Sequence, residues 1–99
     1  MDDLQFGMIK SFRHKGLESF FRTGSRAGIQ PHHAAKLRLQ LLALESATVP
    51  EDLNAPGWRL HLLTGKLEGF WSVTVSGNWR LIFRFLNRDV EMVDYLDYH

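Results

Sequence analysis

The sequence predicts an α+β domain: two N-terminal helices packed on one face of a mainly antiparallel twisted sheet, in the order β-α-α-β-β-β-β. Three observations carry this reading. Apolar residues in the first half recur at helical spacing. From Trp58 onward they alternate with polar residues at period two. The strand-like runs are joined by short turns, which suit antiparallel neighbours.

The elements follow in order. Ninety-nine residues make one domain with no room for a second core. "MDDLQFG", residues 1–7, reads as an extension, leaving 8–99 as the domain, and "MIKSF" reads as a short first strand. In "HKGLESFFRTG", Leu17, Phe20 and Phe21 keep helical spacing, and Gly24 stands where a C-cap glycine belongs. "PHHAAKLRLQLLALESA" is the clearest helix. Pro31 suits its first turn, and Ala34, Leu37, Leu41 and Leu44 form an apolar stripe that Leu39 and Leu42 widen. Lys36, Arg38, Gln40 and Glu45 fall away from that stripe. "TVPEDLNAPG" breaks the helical pattern with two prolines and a glycine.

Four strands are expected after it. "WRLHLL" places Trp58, Leu60 and Leu62 on one side, with Arg59 and His61 on the other. "FWSVTV" alternates Trp71, Val73 and Val75 with Ser72 and Thr74. "SGN" is a tight hairpin turn into "WRLIFRF", where Trp79, Leu81, Phe83 and Phe85 alternate with Arg80, Ile82 and Arg84. "LNRD" turns the chain into "VEMVDYLDYH".

Composition narrows the chemistry. No run approaches the roughly 20 apolar residues of a membrane span, and the acidic opening lacks a secretory pattern, so a cytoplasmic protein is expected. With no cysteine there is no disulfide framework, thiolate nucleophile or zinc–thiolate site. "TGKLEG" lacks the spacing of a phosphate-binding loop. No metal or cofactor is expected: the adjacent His32 and His33 would diverge by about 100° on a helix. The net charge of +1 hides an uneven distribution. From Met8 to Ala47, Lys10, Arg13, Lys15, Arg22, Arg26, Lys36 and Arg38 face only Glu18 and Glu45, which suits a polyanionic partner.

If the Trp/Leu/Val/Phe set faces the helices, Arg59, His61, Ser72, Thr74, Arg80 and Arg84 share the opposite face. On the last run Asp97 and His99 share one side with Tyr95, while Tyr98 points away in an ideal strand; the alternation there does not say which side is which. With Asp97 and His99 on the polar side, that face holds what phosphodiester cleavage requires. Arginines match phosphate oxygens and stabilise the charge that builds on them. Histidines move protons near neutral pH, and RNA brings its own nucleophile, the 2′-OH.

"MIKSFRHKGLESFF", "RLHLLTGKLEGFWSVTVSGNWRLIFRF" and "VDYLDYH", in that order, resemble the HigB toxins of the RelE/ParE superfamily of toxin–antitoxin systems. The resemblance runs from Met8 to His99 and implies a RelE-like fold. It also implies a ribosome-dependent mRNA endoribonuclease that cuts by 2′-OH attack without metal while bound to the small subunit. A HigA-type helix-turn-helix antitoxin is the implied partner. The family's active-site histidine falls on His61, its phosphate-binding arginine on Arg80, and its terminal Asp-Tyr-His on Asp97, Tyr98 and His99. Arg59, Arg84 and Lys66 are the expected RNA-binding cations. Many HigB sequences have lysine three residues after the histidine, where this chain has Thr64; Lys66 would have to bring an ammonium to that place. The rival readings are a ParE-like inhibitor of DNA gyrase and a non-catalytic RNA-binding module. Acid and base are not assigned among His61, Asp97 and His99.

Overall fold

Short turns and period-two alternation produce the expected sheet. The computed structural model describes residues 8–98, so the N-terminal extension 1–7 and His99 lie outside the described residues. Strands β1 (His61–Leu62), β2 (Trp71–Ser76), β3 (Trp79–Leu86) and β4 (Asp89–Asp97) form one sheet in the order β1-β2-β3-β4. Every neighbouring pair is antiparallel.

Helix α1 (Lys15–Thr23) starts after His14, whose Nδ1 accepts from the Leu17 N–H at 2.9 Å, the role Ser or Asp usually takes at an N-cap. It stops at Gly24, whose φ of 82° lets its N–H donate to the Phe20 carbonyl. A 3₁₀ turn, Pro31–His33, leads into α2 (Ala34–Ser46). Ala34, Leu37, Leu41 and Leu44 are buried and Arg38 is exposed as expected, but Leu39, Leu42 and Gln40 exchange places. Leu39 and Leu42 are 57% and 58% exposed, while Gln40 is fully buried. The cause is angular. Gln40 stands three residues after Leu37 and four before Leu44, about 40° beyond Leu44 at the edge of the arc those residues define, whereas Leu39 and Leu42 fall about 80° or more outside it.

The "MIKSF" segment lies beside β4 but is not a continuous strand. It makes two isolated parallel bridges, Ile9 with Val90 and Phe12 with Val93. Between them β4 bulges: its register to β3 slips between Ile82 and Arg84, and Met92 has φ 56°. The displaced Met92 N–H donates to Ser11 Oγ at 2.9 Å instead of joining a ladder. At the other edge, β1 is only two residues long, and Leu62, expected inside, is about half exposed.

The main core lies between helices and sheet. Leu17, Phe20, Leu37, Leu41 and Leu44 pack with Val73, Val75, Leu81, Phe83, Val90 and Val93. A smaller cluster forms on the opposite face, where Leu63, Phe70 and Ile82 are buried beneath Leu67, Met92 and Leu96. Among the described residues no helix is long and apolar enough to cross a membrane.

Candidate active site

Alternation sends Arg59, His61, Ser72, Thr74 and Arg80 to the side of the sheet away from the helices. The register then gathers them, with His61 opposite Ser72 and Thr74 opposite Arg80. These residues, with Leu63 and Tyr98, line a cleft of about 290 Å³. Ile82, next to Ser72 on β3, belongs to the small apolar cluster that underlies this face.

The β2–β3 hairpin turn holds one rim. Arg80 Nη1 donates to the Gly77 carbonyl at 2.6 Å and to the Trp79 carbonyl at 3.2 Å, which orients its planar fork. The Tyr98 N–H donates to the Asn78 carbonyl at 2.8 Å. Two adjacent turn residues thus fix the cleft's arginine and the backbone of its tyrosine. The other rim carries His61, exposed on β1, and Arg59, whose φ of 55° is unusual for an arginine.

The remaining expected residues lie elsewhere. Lys66 sits exposed on a 3₁₀ turn, Gly65–Leu67, and Thr64 precedes that turn; neither lines the cleft. Arg84 is farther along β3. Its Nε lies 2.6 Å from Glu91 Oε2, and its guanidinium is 5.5 Å from the centre of the Phe70 ring. Asp97 ends β4 in register with Trp79, on the same alternation as Tyr95, which is buried against the helices. Tyr98 therefore takes the cleft side, the reverse of an arrangement with Tyr95 on the polar face. His99 lies outside the described residues.

Polar groups also meet under the sheet, where the sequence reading had placed none. His33 Nδ1 is 2.7 Å from the Tyr95 hydroxyl, which also accepts from the Gln30 N–H at 3.3 Å. Burial, then the neighbouring His32 charge, lowers the His33 pKa; burial raises that of Tyr95. The His32 and His33 rings do approach to 4.3 Å, because they stand on a 3₁₀ turn, but His33 is turned inward to Tyr95. Gln40 Nε2 donates to the Thr74 carbonyl at 2.9 Å. The spacing of Gln40 from Leu37 and Leu44 was the available signal for its burial.

Chemically, the cleft offers two guanidinium groups for phosphate, an imidazole for proton transfer, hydroxyls for hydrogen bonding and an aromatic ring for stacking. Fold and cleft together define a class: a small α+β domain that presents cationic and proton-transferring groups on an open sheet face. Comparison with known proteins gives the class its family. Residues 10–99 match the model of the RelE-like toxin of type II toxin–antitoxin systems, HigB. The chain is 42% identical over 92 residues to "Endoribonuclease HigB" of Proteus vulgaris, covering 93% of this chain and all of that one. It is 34% identical over 94 residues to "Toxin HigB-1" of Vibrio cholerae serotype O1, covering 93% of this chain and 98% of that one. The chain belongs to the HigB toxin family, and as a type II toxin it has an antitoxin as its partner.

Proposed function

We propose that this toxin is a ribosome-dependent mRNA endoribonuclease. The observation that carries the reading is the convergence of Arg59, His61, Arg80 and Tyr98 on one open cleft. The Proteus relative's name, an endoribonuclease, supports it. In this reaction the 2′-oxygen of a nucleotide attacks the adjacent phosphorus and the P–O5′ bond breaks. The products are a 2′,3′-cyclic phosphate and a 5′-hydroxyl. A base takes the 2′-OH proton, and an acid supplies one to the leaving O5′. His61, in the cleft, and His99 are the groups for these two steps, with acid and base unassigned; Asp97, which ends β4 on the side of Tyr95, orients a histidine rather than meeting RNA. Arg80, oriented by the hairpin turn, and Arg59 across the cleft bind the phosphate and stabilise its growing charge. Tyr98 stacks on a base or bonds the phosphate. Lys66 and Arg84, outside the cleft, meet flanking backbone.

The small ribosomal subunit holds the mRNA during the cut, the toxin works in the cytoplasm, and a HigA-type helix-turn-helix antitoxin neutralises it. Conditional expression followed by mapping of mRNA ends tests the proposal. Cuts aligned to the reading frame that vanish downstream of an introduced stop codon are expected. Cuts indifferent to translation would overturn ribosome dependence, and intact mRNA would overturn the enzyme.

A further inference from the structure

The β1–β2 ladder breaks where its register would bring Arg59 opposite Thr74. His61 pairs with Ser72, Leu62 pairs with Trp71, and the Leu63 N–H donates to the Phe70 carbonyl. One step further, Thr74 and Arg59 would exchange N–H and carbonyl. The Thr74 N–H instead reaches past Arg59 to the Trp58 carbonyl at 2.8 Å. Trp58 and Arg59 thus stand against the single residue Thr74, and Arg59 has the left-handed φ that such bulges use. A non-glycine residue is strained there and persists only where its surroundings impose the conformation.

The break also deprives the Thr74 carbonyl of the Arg59 N–H. A carbonyl shielded from water without a donor is destabilising. Gln40 supplies the donor: from the helix side of the sheet its Nε2 bonds the Thr74 carbonyl at 2.9 Å. Its own Oε1 is buried with no hydrogen-bond partner among the described residues. A leucine at this position would carry no such polar cost, so what the carboxamide contributes is its donor.

We propose that Gln40 is a positioning residue for the cleft. By occupying the Thr74 carbonyl it keeps the bulge open, which holds Arg59 in the left-handed conformation that delivers its guanidinium to an RNA phosphate. The inference rests on the cleft being the RNA-cleaving site. Gln40 itself never meets RNA; it acts through Thr74 and Arg59 from the opposite face.

The test removes the donor with Gln40→Leu, or with Gln40→Met if the first variant does not fold. Two readouts are taken. The strong intraresidue HN–Hα NOE of a positive-φ residue should disappear at Arg59 as the ladder closes. With ribosomes programmed with mRNA, the KM should rise about tenfold, some 1.4 kcal/mol, with a smaller change in kcat. Arg59→Ala should raise KM comparably, and the double variant should be no worse than Arg59→Ala alone. An Arg59 NOE that survives loss of the donor overturns the proposal, as do additive effects in the double variant, which mark Gln40 as merely structural. If Arg59→Ala cleaves like the unaltered protein, the cleft reading fails at Arg59, while the NOE still decides whether Gln40 sets its backbone.

Discussion

On the face covered by the helices, Val73, Val75, Leu81, Phe83, Val90 and Val93 are sealed against Leu37, Leu41 and Leu44. On the open face only Leu63, Phe70 and Ile82 form a buried cluster, beside Arg59, His61, Thr74, Arg80 and Tyr98. The same β-strands thus serve two environments. Under the helices a polar group must find a partner or be costly, and His33 and Gln40 each bond the sheet. In the cleft, water partly solvates the polar groups, so changing them alters chemistry more than stability. Apart from Gln40, which reaches the cleft through Thr74, folding and function are therefore separable by face.

The largest effect should come from Phe83, fully buried under the helices. Phe83→Ala should lower stability by about 3–5 kcal/mol, measured by urea unfolding, with cleavage falling only as the folded population falls. Equal loss of stability from a cleft substitution would break the comparison. Arg80→Ala, across the sheet, should reduce mRNA cleavage about 100- to 1,000-fold, the scale for losing one group that stabilises transition-state charge. Its unfolding midpoint should barely move.

The buried His33–Tyr95 pair sharpens the covered side. Tyr95→Phe should cost about 0.5–1.5 kcal/mol and leave the kcat of the folded protein near its original value. The pair also gives stability a pH dependence. The folded pKa of His33 lies below its ordinary value of 6.5, so the unfolded chain binds a proton that the folded chain resists. This contribution is complete above about pH 6.5 and is lost as pH falls from there toward the lowered folded pKa. Thermal unfolding of His33→Gln, compared with the unaltered protein across that window, should show a shallower decline on the acid side.

The smallest effect belongs to the Arg84–Glu91 pair, which is partly exposed on the open side. Glu91→Gln should change stability by about 0.2–1 kcal/mol, less in high salt. A shift of several kcal/mol would mean that the open face contributes more to folding than its burial indicates.

Legibility in the sequence followed the same division. Strands β2 and β3 could be read because one side is apolar and the other mostly polar, which fixes the faces of Ser72, Thr74 and Arg80. β4 could not: Val90, Val93 and Tyr95 enter the main core, while Met92 and Leu96 pack on the second cluster, so both sides are apolar and a bulge shifts the count. The side taken by Tyr98 is consequently open in the sequence. On α2, leucines at 39 and 42 made hydrophobicity a poorer guide than angle. The left-handed backbone of Arg59 had no sequence signal, since neither glycine nor asparagine marks it. The distance of Lys66 from the cleft depends on the path of its turn.

The clasp between Ser11 and Met92 has a kinetic consequence. Their hydrogen bond spans 81 positions of sequence, and contacts of such long range form slowly because loop-closure entropy opposes them. A nascent chain that has not yet produced β4 leaves residues 9–12 without the strand they pair with. Docking of the first segment therefore waits on the last strand to be made.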